Sequence, residues 1–274
     1  MRTNFCRCCA ECHGEGTAGQ HGPIVVNSVL EREKAYHEKL YSGEAQAHFA
    51  RPAVRAFRQH LVRRILRVTG ASRNSRVLSL GCGIGDTELL LAPFVQAIVG
   101  VDLAPSAVRQ ARADAEQLGV TNAEFIEGTA PRAGERFDVV IAIFFLHHLP
   151  EAVLAGLPGA VADMLNSGGT FYSLDPSVCR LSAAVGRVLI PKLMKKYQSE
   201  DERELEPEPV AESFRRAGFS VECDMYDFGS TPAAGLFPGW RSGYQAARWA
   251  DDWLLRVRFL RRRGSNFEVI ARQP

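Results

Sequence analysis

Between Arg76 and Asp175 the apolar residues come in short runs, separated by amphipathic stretches. The runs "RVLSL", "AIVGVD", "AEFIEG", "FDVVIAIFFL" and "GTFYSLD" read as strands. The stretches "DTELLLAPFV", "SAVRQARADAEQLG" and "AVLAGLPGAVADML" read as helices, the last interrupted near Pro158. Strands that alternate with helices predict an α/β fold with a doubly wound, mostly parallel sheet. "FDVVIAIFFL" lacks the alternation of a half-exposed strand and suits a sheet centre covered on both faces.

The flanks follow other periods. "SVLEREKAYHEKLYSG" predicts a helix opened by a Ser28/Glu31 capping box and closed near Gly43. "RPAVRAFRQHLVRRILRVTG" predicts a second, from Pro52 to Gly70. Val54, Phe57, Leu61, Ile65 and Val68 form its apolar stripe, with arginines opposite. Residues 24–70 are therefore expected to be a helical cap on a main domain of residues 71–274. Past Asp175 come a helical piece, a charged proline-rich loop, the helix "PVAESFRRAGF" and the strands "SVECDMYDF" and "SNFEVIARQ". An insertion, residues 229–264, separates those two strands.

Composition changes this picture little. The chain has 274 residues, 46% hydrophobic and 23% charged, enough for one large core. A formal charge of +2 gives no global field for nucleic acid, and no apolar run is long enough to span a membrane. Arg2 has no apolar signal core behind it, so a cytoplasmic protein is expected. Four of seven cysteines crowd into residues 6–12 (Cys6, Cys8, Cys9, Cys12). "CAECH" matches a haem-attachment pattern, which needs export, and thiophilic metal binding is the other option. With no apolar residues to pack, residues 1–23 read as a disordered tail, and no resident metal is expected.

The turn "GCGIGD" is where a ligand is expected, because open α/β sheets bind beyond the carboxyl ends of their strands. Gly81, Gly83 and Gly85 are spaced G-x-G-x-G, and Asp86 stands where a dinucleotide site wants its third glycine. A carboxylate there opposes a pyrophosphate. Asp102 ends the second strand, placed to accept from both hydroxyls of a ribose. The pattern calls for a nucleoside without phosphate.

Over about residues 28–274 the chain resembles the class I S-adenosylmethionine-dependent methyltransferases, in the small-molecule group that includes the quinone-biosynthesis enzymes. "VLSLGCGIG", "VGVDLAPSAVRQAR", "FIEGTA", "FDVVIAIFFLHHLP" and "LNSGGTFYSLDPS" carry the resemblance, in order and spacing. It implies a Rossmann-like seven-stranded sheet with an antiparallel last strand, and S-adenosylmethionine as cofactor. By resemblance Gly81, Cys82, Gly83 and Gly85 cradle the methionine part, Asp102 binds the ribose and Leu103 flanks the adenine. Thr129 and Ala130 lie at the adenine edge, and Phe144 lies near the sulfonium. Two positions depart from the family. Ser79 and Thr129 stand where acidic residues are common, and their hydroxyls make weaker contacts.

For the chemistry, His147 and His148 are base candidates, with a structural loop role as the other reading. Asp175 is expected either to orient a substrate hydroxyl or to cap the loop begun by Pro176. Tyr36 and Tyr41, on the first helix, are expected to line the substrate pocket or to pack half-buried. The expected partner is a small, hydrophobic methyl acceptor, with protein or RNA methylation and a non-catalytic binding protein as alternatives. The insertion holds three tryptophans and seven arginines against two acids. Trp240, Tyr244, Ala247, Leu254 and Val257 form one expected face, and Trp249, Trp253 and Leu260 a second. Such a helix suits either a membrane surface or a lid with solvated arginines. Nucleic-acid binding is not expected, since no readout motif accompanies the arginines.

Overall fold

The computed structural model describes residues 23–41, 50–180 and 203–274. The cysteine-rich tail, the proposed stop at Gly43 and the helical piece around "RVLIPKLMKK" lie outside the described residues.

Two helices precede the sheet: α1 (Pro23–Tyr41) and α2 (Pro52–Thr69). The alternating region then runs β1 (Arg76–Leu80), α3 (Asp86–Leu91), β2 (Ala97–Asp102), α4 (Pro105–Gln117), β3 (Ala123–Glu127), β4 (Phe137–Ile143), α5 (Glu151–Met164) and β5 (Leu165–Pro176). The chain ends with α6 (Pro207–Arg216), β6 (Ser220–Asp227), α7 (Ser230–Leu236), α8 (Arg241–Leu254), α9 (Arg258–Arg261) and β7 (Asn266–Arg272). The seven strands form one sheet in the order β3-β2-β1-β4-β5-β7-β6. β1 to β5 pair in parallel, and β7 is antiparallel to both its neighbours. The doubly wound sheet with an antiparallel final strand is as the sequence predicts. Strand order reverses between β1 and β4, which opens the crevice beside the turn after β1.

The strand period of two sorts the core onto both faces of the sheet. Val77, Val139 and Ile141 face a layer built with Phe57, Leu61 and Ile65 of α2. Leu78, Leu80, Val140 and Ala142 face the other, with Phe171 and Phe214. Helix α2 follows its predicted limits, with Pro52 in the first turn and Gly70 at φ 71° as its C-cap. Its arginines are not all solvated. Arg64 pairs with the buried Glu268 of β7, which also accepts from the Tyr172 hydroxyl at 3.0 Å.

Several elements differ from expectation. Helix α1 begins at Pro23, so Ser28 lies inside it and forms no N-cap. Helix α3 stops at Leu91 and tightens to a 3₁₀ turn over Ala92–Phe94, where Pro93 removes a donor. Helix α5 runs unbroken through Pro158, because Leu157, Pro158 and Val161 are buried on one side and packing outweighs the lost hydrogen bond. Strand β4 ends at Ile143 rather than Leu146. Phe144 turns the chain away with φ 54°, its N–H donating to Leu174 O at 2.7 Å.

The insertion forms α7, α8 and α9. Of its first expected face only Tyr244 is deeply buried, whereas Trp240 and Val257 are exposed. Asp251, among these positions on α8, also turns inward. Its carboxylate accepts from the backbone N–H groups of Gly229 and Ser230 at 2.9 Å each, satisfying the start of α7. Of the second expected face, Trp249 and Trp253 point to solvent and Leu260 is half-buried.

Candidate active site

A cavity of about 530 Å³ opens at the carboxyl ends of β1, β2 and β4. One wall is the glycine turn. Gly81 and Cys82 reach across to β2, their N–H groups donating to Val101 O at 2.9 and 3.1 Å. Gly83 has φ 53°, and a Cβ there would sit 2.7 Å from the Tyr41 hydroxyl. No other residue gives both that conformation and that closeness without strain. Gly85 does a different job: a Cβ there would strike Phe125 and Ala111, so it allows the turn to pack on the sheet.

The Asp102 carboxylate lines the cavity, held by the N–H groups of Gly83 (2.8 Å) and Ala104 (2.9 Å). Each oxygen accepts one backbone bond, which fixes the carboxylate and leaves lone pairs for a ligand. Leu103, Thr129, Ala130 and Phe144 also line the cavity.

Ser79 does not reach the cavity wall. Its hydroxyl donates to Glu88 Oε1 at 2.6 Å, and Glu88 does line the cavity. Burial pushes the Glu88 carboxyl up to about 7, against the lowering effect of the Ser79 bond. Asp86, two residues earlier, faces the same space and is also raised by burial. Arg58 of α2 donates to Thr87 between them at 3.0 Å. A carboxylate at position 88, hydrogen-bonded to Ser79, thus faces the cavity. Sequence reading missed it because Glu88 looks like an ordinary first-turn acid.

The other wall comes from α1, α2, α7 and the loop after β4. His147 and His148 separate here. His147 is 5% exposed, and its Nδ1 lies 2.8 Å from Asp175 Oδ1 in the interior. Burial pushes the Asp175 carboxyl up to about 8, opposed by the His147 backbone N–H. Neither residue lines the cavity; together they brace the loop. His148 does line it, and its Nδ1 lies 3.0 Å from Oε2 of the buried Glu33 on α1. His37 Nε2 lies 3.4 Å from the same oxygen. Donor atoms of Glu33, His37 and His148 all lie within 4.8 Å of one another. Glu33 was not anticipated; its signal was the i, i+4 spacing from His37 on one helix face.

Tyr41 covers the glycine turn, and its ring stacks with His37 at 5.8 Å. Tyr36 packs edge-on to His37 at 5.3 Å, half-buried and away from the cavity wall. Helix α1 is tied across the opening by polar contacts. Glu38 accepts from Ser106 N (3.0 Å) and Oγ (2.7 Å) at the start of α4, and Lys34 pairs with Glu127 at 3.5 Å.

Residues 77–169 match a family model described as a methyltransferase domain. The chain is 28% identical over 155 residues to a ubiquinone biosynthesis O-methyltransferase of Xanthomonas axonopodis pv. citri (strain 306), covering 54% of this chain and 64% of that one. It is 30% identical over 120 residues to an aklanonic acid methyltransferase of Streptomyces sp. (strain C5), covering 42% and 54%. Each alignment thus spans less than two thirds of the relative's length. The fold is similar to that of magnesium protoporphyrin IX methyltransferase from Synechocystis PCC 6803 with bound SAH (TM-score 0.61, 13% identity, 90% and 100% coverage). The methyltransferase-domain match spans the glycine turn, Asp102 and the β4 loop, and the sheet order around them is the one that the resemblance to the class I S-adenosylmethionine-dependent methyltransferases implies.

Proposed function

We propose that the protein transfers a methyl group from S-adenosylmethionine to a small, hydrophobic acceptor bearing a hydroxyl, such as a quinol or polyketide. The observation that carries the reading is the cavity's division of chemistry. Its cofactor end gathers Asp86, Glu88 and Asp102 beside a glycine turn, with no phosphate-binding character. Its other wall sets the apolar side chains of Val54, Phe57, Ile143 and Leu157 beside the polar groups of Glu33, His37, Arg58, His148 and Thr231.

The residues fit the cofactor. Asp102 accepts from the ribose hydroxyls, and Leu103, Thr129 and Ala130 border the adenine. Glu88, backed by Ser79, takes the α-ammonium, which explains why a buried carboxylate faces the cavity. Gly81 and Gly83 let the backbone approach the methionine part. When bound, the cofactor supplies a sulfonium-activated methyl group for in-line displacement.

The remaining residues align the acceptor and exclude water, a contribution worth up to about 7–11 kcal/mol. Phe57, Ile143, Phe144 and Leu157 hold its apolar body. His148 takes the hydroxyl proton, and the Glu33 carboxylate stabilises the imidazolium that forms. His147 and Asp175 position that loop from behind. The named relatives act, by their descriptions, on small aromatic molecules, which supports this acceptor class.

Two measurements test the reading. Calorimetry with S-adenosylhomocysteine should show stoichiometric binding, and labelled methyl groups should pass to phenolic acceptors. A protein that binds neither the cofactor nor its product is not this enzyme. The spacing of Glu33, His37 and His148 also suits a divalent cation of the two-histidine, one-carboxylate kind. A chelator leaves a base-driven enzyme unchanged. Loss of turnover restored by added metal would transfer the role of these residues to holding that metal.

A further inference from the structure

Ten large hydrophobic side chains are exposed among the described residues, and seven of them fall between residues 236 and 259. They form two groups on the insertion. Leu236, Phe237 and Trp240 crown the corner between α7 and α8, with Phe237 and Trp240 in edge-to-face contact at 6.2 Å. Trp249, Trp253, Val257 and Phe259 occupy the far end of α8 and the segment after it, with Trp249 and Trp253 one turn apart at 6.3 Å. Phe259 is 74% exposed and Trp249 is 67% exposed, values far from those of a packed lid. The corner is rigidly placed, because Ala53 N at the start of α2 donates to Pro238 O at 2.8 Å.

The exposed charge on the insertion is mostly positive. Arg241, Arg256, Arg262 and Arg263 are exposed on the same insertion, and the Arg256 guanidinium lies 4.7 Å from the Trp253 ring centre. Neither acid of α8 offsets them outward. Asp251 is buried on the start of α7, and Asp252 pairs with Arg248 at 2.7 Å. A second copy of this chain would bring arginines against arginines. A surface rich in tryptophan and arginine complements one that is apolar beneath and anionic on top.

We propose that residues 236–263 form a docking surface for an anionic lipid bilayer. The tryptophans and Phe259 enter the interfacial layer while the arginines meet the headgroup charge. The surface borders the cavity: Thr231, Ala234 and Gly235 of α7 line it, one turn from Leu236 and Phe237. A docked protein therefore receives a lipophilic acceptor from the bilayer at this side of its site. The delivery rests on the proposed methyl transfer; the docking rests on exposure and charge alone.

The test is co-sedimentation of the full chain with vesicles of phosphatidylcholine, alone or mixed with phosphatidylglycerol, at low and high salt. Calorimetry with S-adenosylhomocysteine on the same preparation checks the cofactor site separately. Binding to the mixed vesicles, weakened by salt and with a blue shift of tryptophan emission, is expected. A Trp249→Ser/Trp253→Ser variant should lose the blue shift and keep product binding. An Arg256→Gln/Arg262→Gln variant should bind the mixed vesicles about tenfold more weakly or worse. Protein that binds the product but ignores the mixed vesicles overturns the docking surface and leaves the enzyme reading standing. So does light scattering that shows a dimer burying these tryptophans, or preferential binding of duplex nucleic acid. Docking by protein that fails to bind the product keeps the surface and removes the enzyme.

Discussion

Helices α1 and α2 are neighbours in sequence and opposites in construction. In α2, Ala53, Leu61 and Ile65 are fully buried, and Phe57 joins the core on one face of the sheet. In α1, the described contacts are polar or aromatic: Glu38 to Ser106, Lys34 to Glu127, Glu33 to the two histidines. A helix held by apolar area is fastened through the global fold, whereas one held by exposed ion pairs is fastened weakly. The comparison separates a structural wall from a cover.

The largest effect should come from breaking α2. Glu268→Ala leaves Arg64 unpaired against the sheet and should remove about 3–5 kcal/mol from unfolding stability in denaturant titrations. A loss under about 1 kcal/mol would mean that α2 is not fastened through this pair. Next, Asp102→Ala on the opposite side of the cavity should weaken S-adenosylhomocysteine about a hundredfold in calorimetry, because two charge-assisted bonds go. On α1, Glu33→Gln should lower kcat about a hundredfold with little change in product affinity. Equal losses in both would show α1 to be part of the cofactor site.

Glu88 sharpens the picture through pH. Its folded value of about 7 lies above the ordinary 4.5, so the unliganded fold keeps a proton that the unfolded chain has lost. The apo protein therefore loses stability as pH rises between those values, and Glu88→Gln should raise the apo melting temperature at pH 8. Binding should respond in the opposite sense. Only ionised Glu88 pairs with an ammonium, so product affinity should fall up to about tenfold per unit below pH 7. Methylthioadenosine, which lacks the amino-acid group, should show no such slope. The smallest effect is expected for Glu38→Ala on α1. It should cost under about 1 kcal/mol of stability, with a measurable rise in the acceptor KM.

Much of this was legible in the chain. The two- and four-residue periods gave the sheet, its helices and the limits of α2. G-x-G-x-G spacing and Asp102 pointed to residues that line one wall of the cavity. The histidine pair was legible only as a pair: the letters do not say that His147 faces Asp175 and His148 faces Glu33. The insertion misled for a related reason. Its helical wheel placed Tyr244 correctly but gave no sign that Asp251 turns inward, because the amides at the start of α7 that it satisfies belong to another element.

The sequence by itself determined the elements whose cause is local: hydrophobic period, proline and glycine positions, and the glycine turn. Only the tertiary structure decided which carboxylate faces which partner. Glu88 accepting from Ser79, Glu33 meeting His148 across 115 positions, and Glu268 holding Arg64 all depend on chain segments folded onto each other. A buried charge settles where its electrostatic partner is, and sequence distance carries no information about that.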